Sequence, residues 1–258
     1  MFDKDTSNLE AEMNKPNTIE ADKPVEASSP GGGQARTLTE EAYDVLRKDI
    51  IDGVLEPGLK LQSAMLKERY GFGGSTLREA LTRLSAQSLV TFEGQRGFRV
   101  APMSTKDFAD ICDVRKIVET EALKRSILAG DEEWEARVVA AYHRLSRVES
   151  QFPDTYGKLY GEWEQRNHDF HAALLSACDS PWLLRMQELL LQQAERYRRI
   201  TYATGSTIPR DVSEEHRLIM DAAIARDIDA ACGLTASHIQ KTLGILKQTG
   251  AFLGKGED

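Results

Sequence analysis

The amino-acid sequence predicts a mainly α-helical chain, with an N-terminal winged helix-turn-helix followed by an all-helical bundle. Two observations predict this fold class. Between Leu66 and Val100, a short helical pattern, a Gly-Gly turn, an amphipathic helix and a strand-turn-strand pattern follow one another. After Pro102 the strand signals stop, and apolar residues recur at helical spacing almost to the C-terminus. The length of 258 residues suits one or two domains with a real hydrophobic core.

The same patterns divide the chain into four segments. We expect a disordered tail over residues 1–36, a winged helix-turn-helix domain over 37–102, a helical domain over 103–249 and a second tail over 250–258. The first segment combines scattered acids with Pro, Ser and a run of Gly, so it cannot bury enough apolar surface to offset its ordering entropy.

Composition limits the class of protein. The formal net charge of −8 argues against a surface that binds nucleic acid throughout, so DNA binding would depend on a local patch. Cys112, Cys178 and Cys232 are far apart in apolar helical patterns, which predicts buried thiols rather than disulfides or a zinc ribbon. No apolar run reaches the ~18 residues of a membrane span. We therefore expect a soluble, cytoplasmic protein with no membrane partner, associated with the nucleoid through DNA.

The winged module is predicted to begin with three helices. A capping box formed by Thr37 and Glu40 predicts a first helix that continues to Gly53. We expect Ser63 to cap the second helix and Ser75 to cap the third, with the Gly-Gly break between them. The third helix is amphipathic, with leucine and alanine on one face and serine, threonine and arginine on the other.

Two short strands, over residues 89–92 and 98–100, are predicted to form the wing, with a loop between them that glycine can turn tightly. The candidate DNA contacts lie on the exposed face of the third helix and on the wing: Ser75, Thr76, Arg78, Arg83, Gln95, Arg96 and Gly97. Hydroxyl groups at a helix start can bind phosphate, and Arg78 can read guanine bidentately. Gln95 and Arg96 suit the minor groove or its flanking phosphates. Taken singly, each of these residues also suits an ordinary solvated surface.

The second half of the chain is predicted to be helical throughout. Ser104 is expected to cap a long helix that ends at Gly130. The apolar residues that predict its inward face are Phe108, Ile111, Val114, Val118, Ala122 and Leu123. Further helices are expected over residues 132–149, 155–178, 182–203, 213–226 and 229–248. This succession predicts a bundle of about six helices.

Three histidines in this bundle, one of them beside Asn167, are compatible either with a metal site or with ordinary core positions. Asn167 and His171 lie one turn apart on one helix, while His216 and His238 belong to the last two helices. Antiparallel packing of those two helices would bring the four side chains together. Converging imidazoles suit a divalent first-row metal, zinc in the first place and nickel in the second. Taken singly, each histidine also suits an ordinary core or boundary position.

A family resemblance covers the winged module. The run STLREALTRLSAQSLVTFEGQRGFRV, with IIDGVLEPGLKL before it, resembles the winged helix of the GntR family of bacterial transcription regulators. The hallmarks are Asp52-Gly53 through Pro57-Gly58, Arg78-Glu79-Ala80-Leu81, and Gly97 shortly before a valine. Members usually carry Ser or Thr, and often Arg, just before the recognition helix, where this chain has Gly73-Gly74. The resemblance therefore implies operator recognition that depends more on the third helix itself and on the wing.

Residues 105–245 resemble the FCD effector domain of the FadR subfamily of the same family. The strongest markers are NHDFHAALLSACDSPWL and EEHRLIMDAAIARDIDAACGLTASHI. The resemblance implies a divalent metal that anchors a carboxylate effector and is held by Asn167, His171, His216 and His238. Asp is usual where this chain has Asn167, so the loss of a ligand charge implies weaker metal binding.

The resemblance also gives a role to Arg115. It occupies the position from which the family directs a guanidinium at the effector carboxylate, which Asn167 also faces, and a bidentate pair of this kind selects for an acid. The structural alternative is an ion pair with Glu119, one turn further along the helix. The run AERYRRI is most similar to the CsiR-like branch, which is associated with short dicarboxylates. Mono- and dicarboxylates both stay open as effectors.

Three functions are compatible with these patterns. The first is a ligand-responsive repressor, which binds a palindromic double-stranded DNA operator as a homodimer and changes its operator affinity when a carboxylate binds. The second is a metal-dependent enzyme built on the histidines, although no motif places an acid or base at an open metal position. The third is an architectural DNA-binding protein, which leaves the histidines unexplained. We expect the first function and no catalytic residues.

Overall fold

The computed structural model describes residues 36–151, 156–203 and 211–249. The predicted tails, apart from Arg36, and the expected loops around Pro153 and from Gly205 to Pro209 lie outside these residues. Within the described ranges the chain is mainly helical, as predicted, with one small sheet. No helix of this part of the chain is long and apolar enough to cross a membrane.

The N-terminal module is a winged helix-turn-helix. Its elements are α1 (Leu38–Ile51), β1 (Lys60–Leu61), α2 (Ser63–Tyr70), α3 (Gly74–Ala86), β2 (Val90–Phe92) and β3 (Phe98–Val100). The antiparallel sheet has the order β1-β3-β2, with Val90 opposite Val100 at the base of the wing. Leu46, Leu66 and Leu84 bury one face of each helix in the core. The sequence pattern does not predict β1, because two residues give no detectable alternation.

One predicted helix cap in this module is confirmed and two are wrong. Thr37 Oγ1 accepts from the Glu40 N–H at 3.2 Å, and the Glu40 carboxylate accepts from the Thr37 N–H at 2.9 Å. Helix α2 begins at Ser63 itself and α3 begins one residue before Ser75, so neither serine is the cap residue. An offset of one residue is enough to prevent capping. A hydroxyl points at the first free amides of a helix only when its own residue has the N-cap backbone geometry.

The wing turn depends on glycine, as predicted. Gly94–Arg96 form a single 3-10 turn between β2 and β3. Gly94 has a φ of 53° and Gly97 a φ of 83°, a region that residues with a Cβ rarely adopt. The turn brings the rings of Phe92 and Phe98 to 5.1 Å across the hairpin. The wing tip is therefore a compact loop that presents its polar side chains outward.

Six helices form the rest of the described chain. They are α4 (Thr105–Ala129), α5 (Glu132–Glu149), α6 (Tyr156–Leu175), α7 (Pro181–Ala203), α8 (Val212–Ile224) and α9 (Ile228–Thr249). Their bounds agree with the predicted ones within a few residues, and Ser104 caps α4 by accepting from the Asp107 N–H at 3.0 Å. Trp134 of α5 and Phe170 of α6 are fully buried in the main core of this bundle.

The buried face of α4 differs from the predicted one. Val114 is 39% exposed although the apolar pattern places it inside, whereas Arg115 and Glu119 are only 2% and 1% exposed. These two charged residues share a buried stripe with Phe108 and Cys112. A search for apolar periodicity misses this stripe, because charged residues occupy core positions within it.

The cysteine prediction is confirmed at two of three positions. Cys112 and Cys178 are buried free thiols, and burial raises the pKa of the Cys112 thiol to about 11. Cys232 is only partly buried and donates to the Thr120 carbonyl at 3.4 Å. All three thiols are free in the structure, so no disulfide connects these helices.

Helix α7 joins the bundle to the winged module. Arg199 Nε lies 2.6 Å from Asp52 Oδ1 at the end of α1. Arg196, which is 1% exposed, donates to the Ala101 carbonyl at 2.6 Å, in the segment that leads from the wing to α4. The same helix that packs in the bundle therefore contacts two parts of the N-terminal module.

Candidate metal centre and nucleic-acid interface

Three histidines from three helices converge inside the bundle. His171 of α6, His216 of α8 and His238 of α9 each offer one ring nitrogen, and these atoms lie within 4.8 Å of one another. The three residues are 4%, 0% and 8% exposed, and the rings of His216 and His238 are 4.8 Å apart at their centroids. The packing of α8 against α9 thus brings together the histidines that the sequence singles out. Three imidazole nitrogens at this spacing could hold a divalent ion such as zinc or nickel.

Several polar atoms around these histidines are buried without a partner. Asn167 lies one turn before His171, is 4% exposed, and its Oδ1 has no hydrogen-bond partner among the described residues. The same holds for His216 Nε2 and for the hydroxyl of Thr235, one turn before His238. Each unpaired buried group costs about 1–3 kcal/mol, so such atoms are expected where an ion or ligand binds. The residues present therefore fit a divalent metal.

The sequence pattern does not reveal two carboxylates that contact the histidines. Glu149 Oε1 lies 2.8 Å from His216 Nδ1, and Glu215 Oε2 lies 2.9 Å from His238 Nδ1. A carboxylate on Nδ1 makes Nε2 the nitrogen that can bind a metal, and it fixes the orientation of the ring. Glu149 is 67 residues away from His216 in the chain, so no local spacing could have indicated this contact.

His171 is held in the neutral form. Burial lowers the pKa of its ring well below the usual value, and the neighbouring His238, His216, Arg115 and Arg198 lower it further. A neutral imidazole is the form that ligates a metal. The electrostatics of the site therefore agree with its donor set.

Arg115 forms an ion pair with Glu119, which is the structural alternative to a role in effector binding. Its Nε and Nη2 lie 2.6 Å and 3.4 Å from the two oxygens of Glu119, and both side chains are buried. A second arginine, the partly buried Arg198 of α7, pairs with Glu164 of α6, and no pattern in the sequence indicates this pair. Both guanidiniums are close enough to act on the charge of His171. An incoming carboxylate would therefore meet arginines that already have acidic partners.

The predicted DNA contacts lie on α3 and on the wing. Ser75, Arg78, Arg83, Gln95 and Arg96 are exposed, and Thr76 and Gly97 are partly exposed. The guanidinium of Arg83 lies over the Tyr43 ring, 4.5 Å from its centroid, so this arginine already has a partner inside the module. The first amides of α3 have no side-chain cap and are available to an anion such as phosphate.

Comparisons with known families match both parts of the chain. The model described as bacterial regulatory proteins, gntR family, matches residues 38–100. The model of the FCD domain matches residues 110–241, which include all four predicted metal ligands and Arg115.

Relatives and solved structures agree with these matches. The chain is 43% identical over 234 residues to the HTH-type transcriptional regulator BphR of Paraburkholderia xenovorans (strain LB400), covering 90% of this chain and 95% of the relative. It is 37% identical over 211 residues to the HTH-type transcriptional repressor GlaR of Escherichia coli (strain K12), covering 81% of this chain and 95% of the relative.

The structure of E. coli McbR/YncC matches with a TM-score of 0.64 at 21% identity, covering 83% of this chain and 99% of that one. A GntR regulator from Rhodococcus sp. RHA1 matches with a TM-score of 0.62 at 22% identity, covering 81% and 97%. These two structures share the fold.

Proposed function

The chain belongs to the GntR family of bacterial regulatory proteins and carries an FCD domain, and we propose that it is a repressor whose operator affinity changes when a small carboxylate binds in the bundle. Its family and relatives make it a DNA-binding transcription regulator and not an enzyme. One observation carries the finer proposal: three buried histidines converge, and one turn before His171 lies the buried Asn167 oxygen, which has no hydrogen-bond partner within the described ranges. The relative named as a repressor supports the sign of regulation.

We assign the effector carboxylate to the metal centre and to Arg115. Asn167, His171, His216 and His238 would hold zinc or nickel, and the cation would supply a positive point at which a carboxylate oxygen binds. Arg115 would bind the same carboxylate through the donors that Glu119 leaves, which selects for an acid. Because Arg115 and Glu119 already neutralise each other, a further buried anion is favourable only when the cation is present.

Two copies of the chain are proposed to bind one palindromic operator. A helix-turn-helix places its second helix, here α3, in the major groove, and a two-fold dimer places two such helices on half-sites about one helical turn apart. The turn before α3 is the bare Gly73-Gly74, so one copy presents few side chains to the DNA. Both copies together are needed for a specific site.

Helix α7 is proposed to carry the signal from the bundle to the winged module. Arg198 acts electrostatically on His171 and pairs with Glu164, while the next residue, Arg199, pairs with Asp52 at the end of α1. A carboxylate that competes with Glu164 for Arg198 would shift α7. Because Arg199 of α7 pairs with Asp52, this shift would also move the end of α1. Effector and operator would thereby bias the same packing arrangement, which is the requirement for coupling between two sites.

Arg199→Ala tests this route. The variant is expected to bind effector normally and to show a smaller change of operator affinity when effector is added, because the 2.6 Å pair with Asp52 is lost. In the wild type the change should be about 5–150-fold, the usual range of allosteric coupling. Fluorescence anisotropy with a labelled operator measures it. Arg185→Ala, at an exposed position of the same helix, should respond like the wild type. Equal responses of all three proteins would exclude α7 as the route.

Metal analysis and operator binding test the proposal as a whole. Purified protein is expected to carry about one zinc or nickel per chain, and His216→Ala is expected to carry little, while His143→Ala, an exposed histidine of α5, should match the wild type. A thermal-shift screen of short mono- and dicarboxylates identifies the effector, since a bound ligand stabilises the fold by mass action. That acid should then weaken binding to DNA upstream of the gene in the metal-loaded protein and not after chelation.

Three results would each contradict part of the proposal. Equal metal content in wild type and His216→Ala would remove the metal centre. Absence of sequence-specific, salt-sensitive binding to the upstream DNA would remove this operator. An acid that strengthens operator binding would reverse the proposed sign.

A further inference from the structure

Glu149 of α5 is a buried carboxylate outside the predicted ligand set. It is 6% exposed, its Oε1 accepts from Trp163 Nε1 at 3.1 Å, and the same oxygen lies 2.8 Å from His216 Nδ1. Its Oε2 is buried and has no hydrogen-bond partner in the described part of the chain. A carboxylate in such surroundings is unfavourable unless a positive charge lies close to it.

We propose that Glu149 is a positioning residue for the metal centre, which fixes His216 as an Nε2 ligand and supplies the negative charge that Asn167 does not. The inference rests on the metal centre of the proposed function. Glu149 lies on α5, a fourth helix that carries none of the proposed ligands, and it supplies part of the negative charge that an aspartate at position 167 would supply.

The orientation of His216 follows from the contact geometry. With Nδ1 donating its proton to Glu149, the proton-free nitrogen of the neutral ring is Nε2. That nitrogen is buried and has no hydrogen-bond partner among the described residues. The ring is fully buried, which restricts its rotation. A carboxylate behind a ligating histidine also makes the ring more basic, which strengthens its bond to a cation.

The charge balance around the site singles out Glu149. Two other buried carboxylates of the bundle are neutralised, Glu119 by Arg115 and Glu164 by Arg198. Glu149 has no lysine or arginine partner among the ion pairs of the described residues. With an amide and three neutral imidazoles as ligands, a divalent cation has no anionic ligand from the protein. The unpaired charge of Glu149, one imidazole away, is therefore the buried charge that complements it.

Glu215 provides the matched comparison. It contacts His238 Nδ1 at 2.9 Å in the same way, but its other oxygen lies 3.2 Å from Lys241 Nζ. The charge of Glu215 is therefore already offset by a lysine. Removing that charge should weaken metal binding less than removing the charge of Glu149.

Zinc affinity of the metal-free protein tests the proposal. Wild type, Glu149→Gln, Glu215→Gln and Glu149→Gln with Asn167→Asp are titrated with zinc ions against a chromophoric chelator. Glu149→Gln is expected to bind zinc about 10–100-fold more weakly, the usual effect of losing such a partner. Glu215→Gln should lose less. The double variant should recover most of the affinity, because the charge then sits in the ligand set. Circular dichroism and thermal unfolding of the metal-free proteins check that each variant folds.

The outcomes separate this inference from the function on which it rests. Equal zinc affinity in wild type and Glu149→Gln would overturn it. A loss that Asn167→Asp does not restore would assign Glu149 a merely structural role and would also overturn it. Absence of zinc binding by the wild type, followed by the same result with nickel ions, would instead remove the metal centre itself.

Discussion

Arg78→Ala is expected to weaken operator binding by about 2–6 kcal/mol in the proposed dimer. A bidentate contact between arginine and guanine contributes about 1–3 kcal/mol of discrimination, and a dimer loses two of them. Arg78 lies in the first turns of α3, its side chain is exposed, and no described residue forms an ion pair with it. The substitution should therefore leave folding unchanged. Fluorescence anisotropy at one fixed salt concentration, with operator and scrambled duplexes, measures the loss, which should be large for the operator and small for the scrambled DNA.

Variants of two other arginines distinguish the reading of a base from general electrostatic attraction to DNA. Arg83→Ala should cost less operator affinity than Arg78→Ala, because the Arg83 guanidinium lies over Tyr43 and contributes to the module itself. Arg96→Ala, at the wing tip, should weaken binding to both duplexes alike. A contact between Arg96 and phosphate should also make the slope of log affinity against log salt concentration shallower by about one in the variant. An equal loss for operator and scrambled DNA in Arg78→Ala would contradict its role as a base reader.

The fold of the winged module could be predicted closely because its signals are local. The capping box of Thr37 and Glu40 and the glycines of the wing each act within a few residues, and both appear in the structure as predicted. The errors are also local. Residue type alone predicts Ser63 and Ser75 as caps, whereas the helices begin at Ser63 and one residue before Ser75. Residue type identifies a helix start to within a residue or two, and the cap geometry requires the exact residue.

The candidate metal centre was predictable only in part. The histidines stand out because they are rare and lie among apolar neighbours, and the structure brings His171, His216 and His238 together. Glu149 and Arg198 could not be identified in the same way, since Glu149 contacts His216 and Arg198 contacts Glu164 across helix interfaces that tertiary packing sets. A charged residue in a helix normally indicates the solvent side, and here burial reverses that rule.

Glu119→Ala is expected to lower the free energy of unfolding by about 3–5 kcal/mol, because it leaves the guanidinium of Arg115 buried and unpaired. For a chain of this size the midpoint of thermal unfolding should fall by about 6–20 °C. Glu121→Ala is the matched control, since Glu121 forms an i,i+4 pair with Arg125 on the same helix at 2.7 Å in an exposed position. Solvent screens that pair, so the control should unfold close to the wild-type temperature.

A second variant connects this ion pair to effector binding. Removing both partners, in Arg115→Ala with Glu119→Ala, should be less destabilising than Glu119→Ala alone, because no charge is then left unpaired. If Arg115 faces the effector as proposed, a carboxylate bound in the metal-loaded site should replace the missing Glu119. The acid found by thermal shift should therefore raise the unfolding temperature of Glu119→Ala by more than that of the wild type, and it should lose this extra effect in the double variant. An equal shift in all three proteins would leave Arg115 and Glu119 as a structural pair that the effector does not contact.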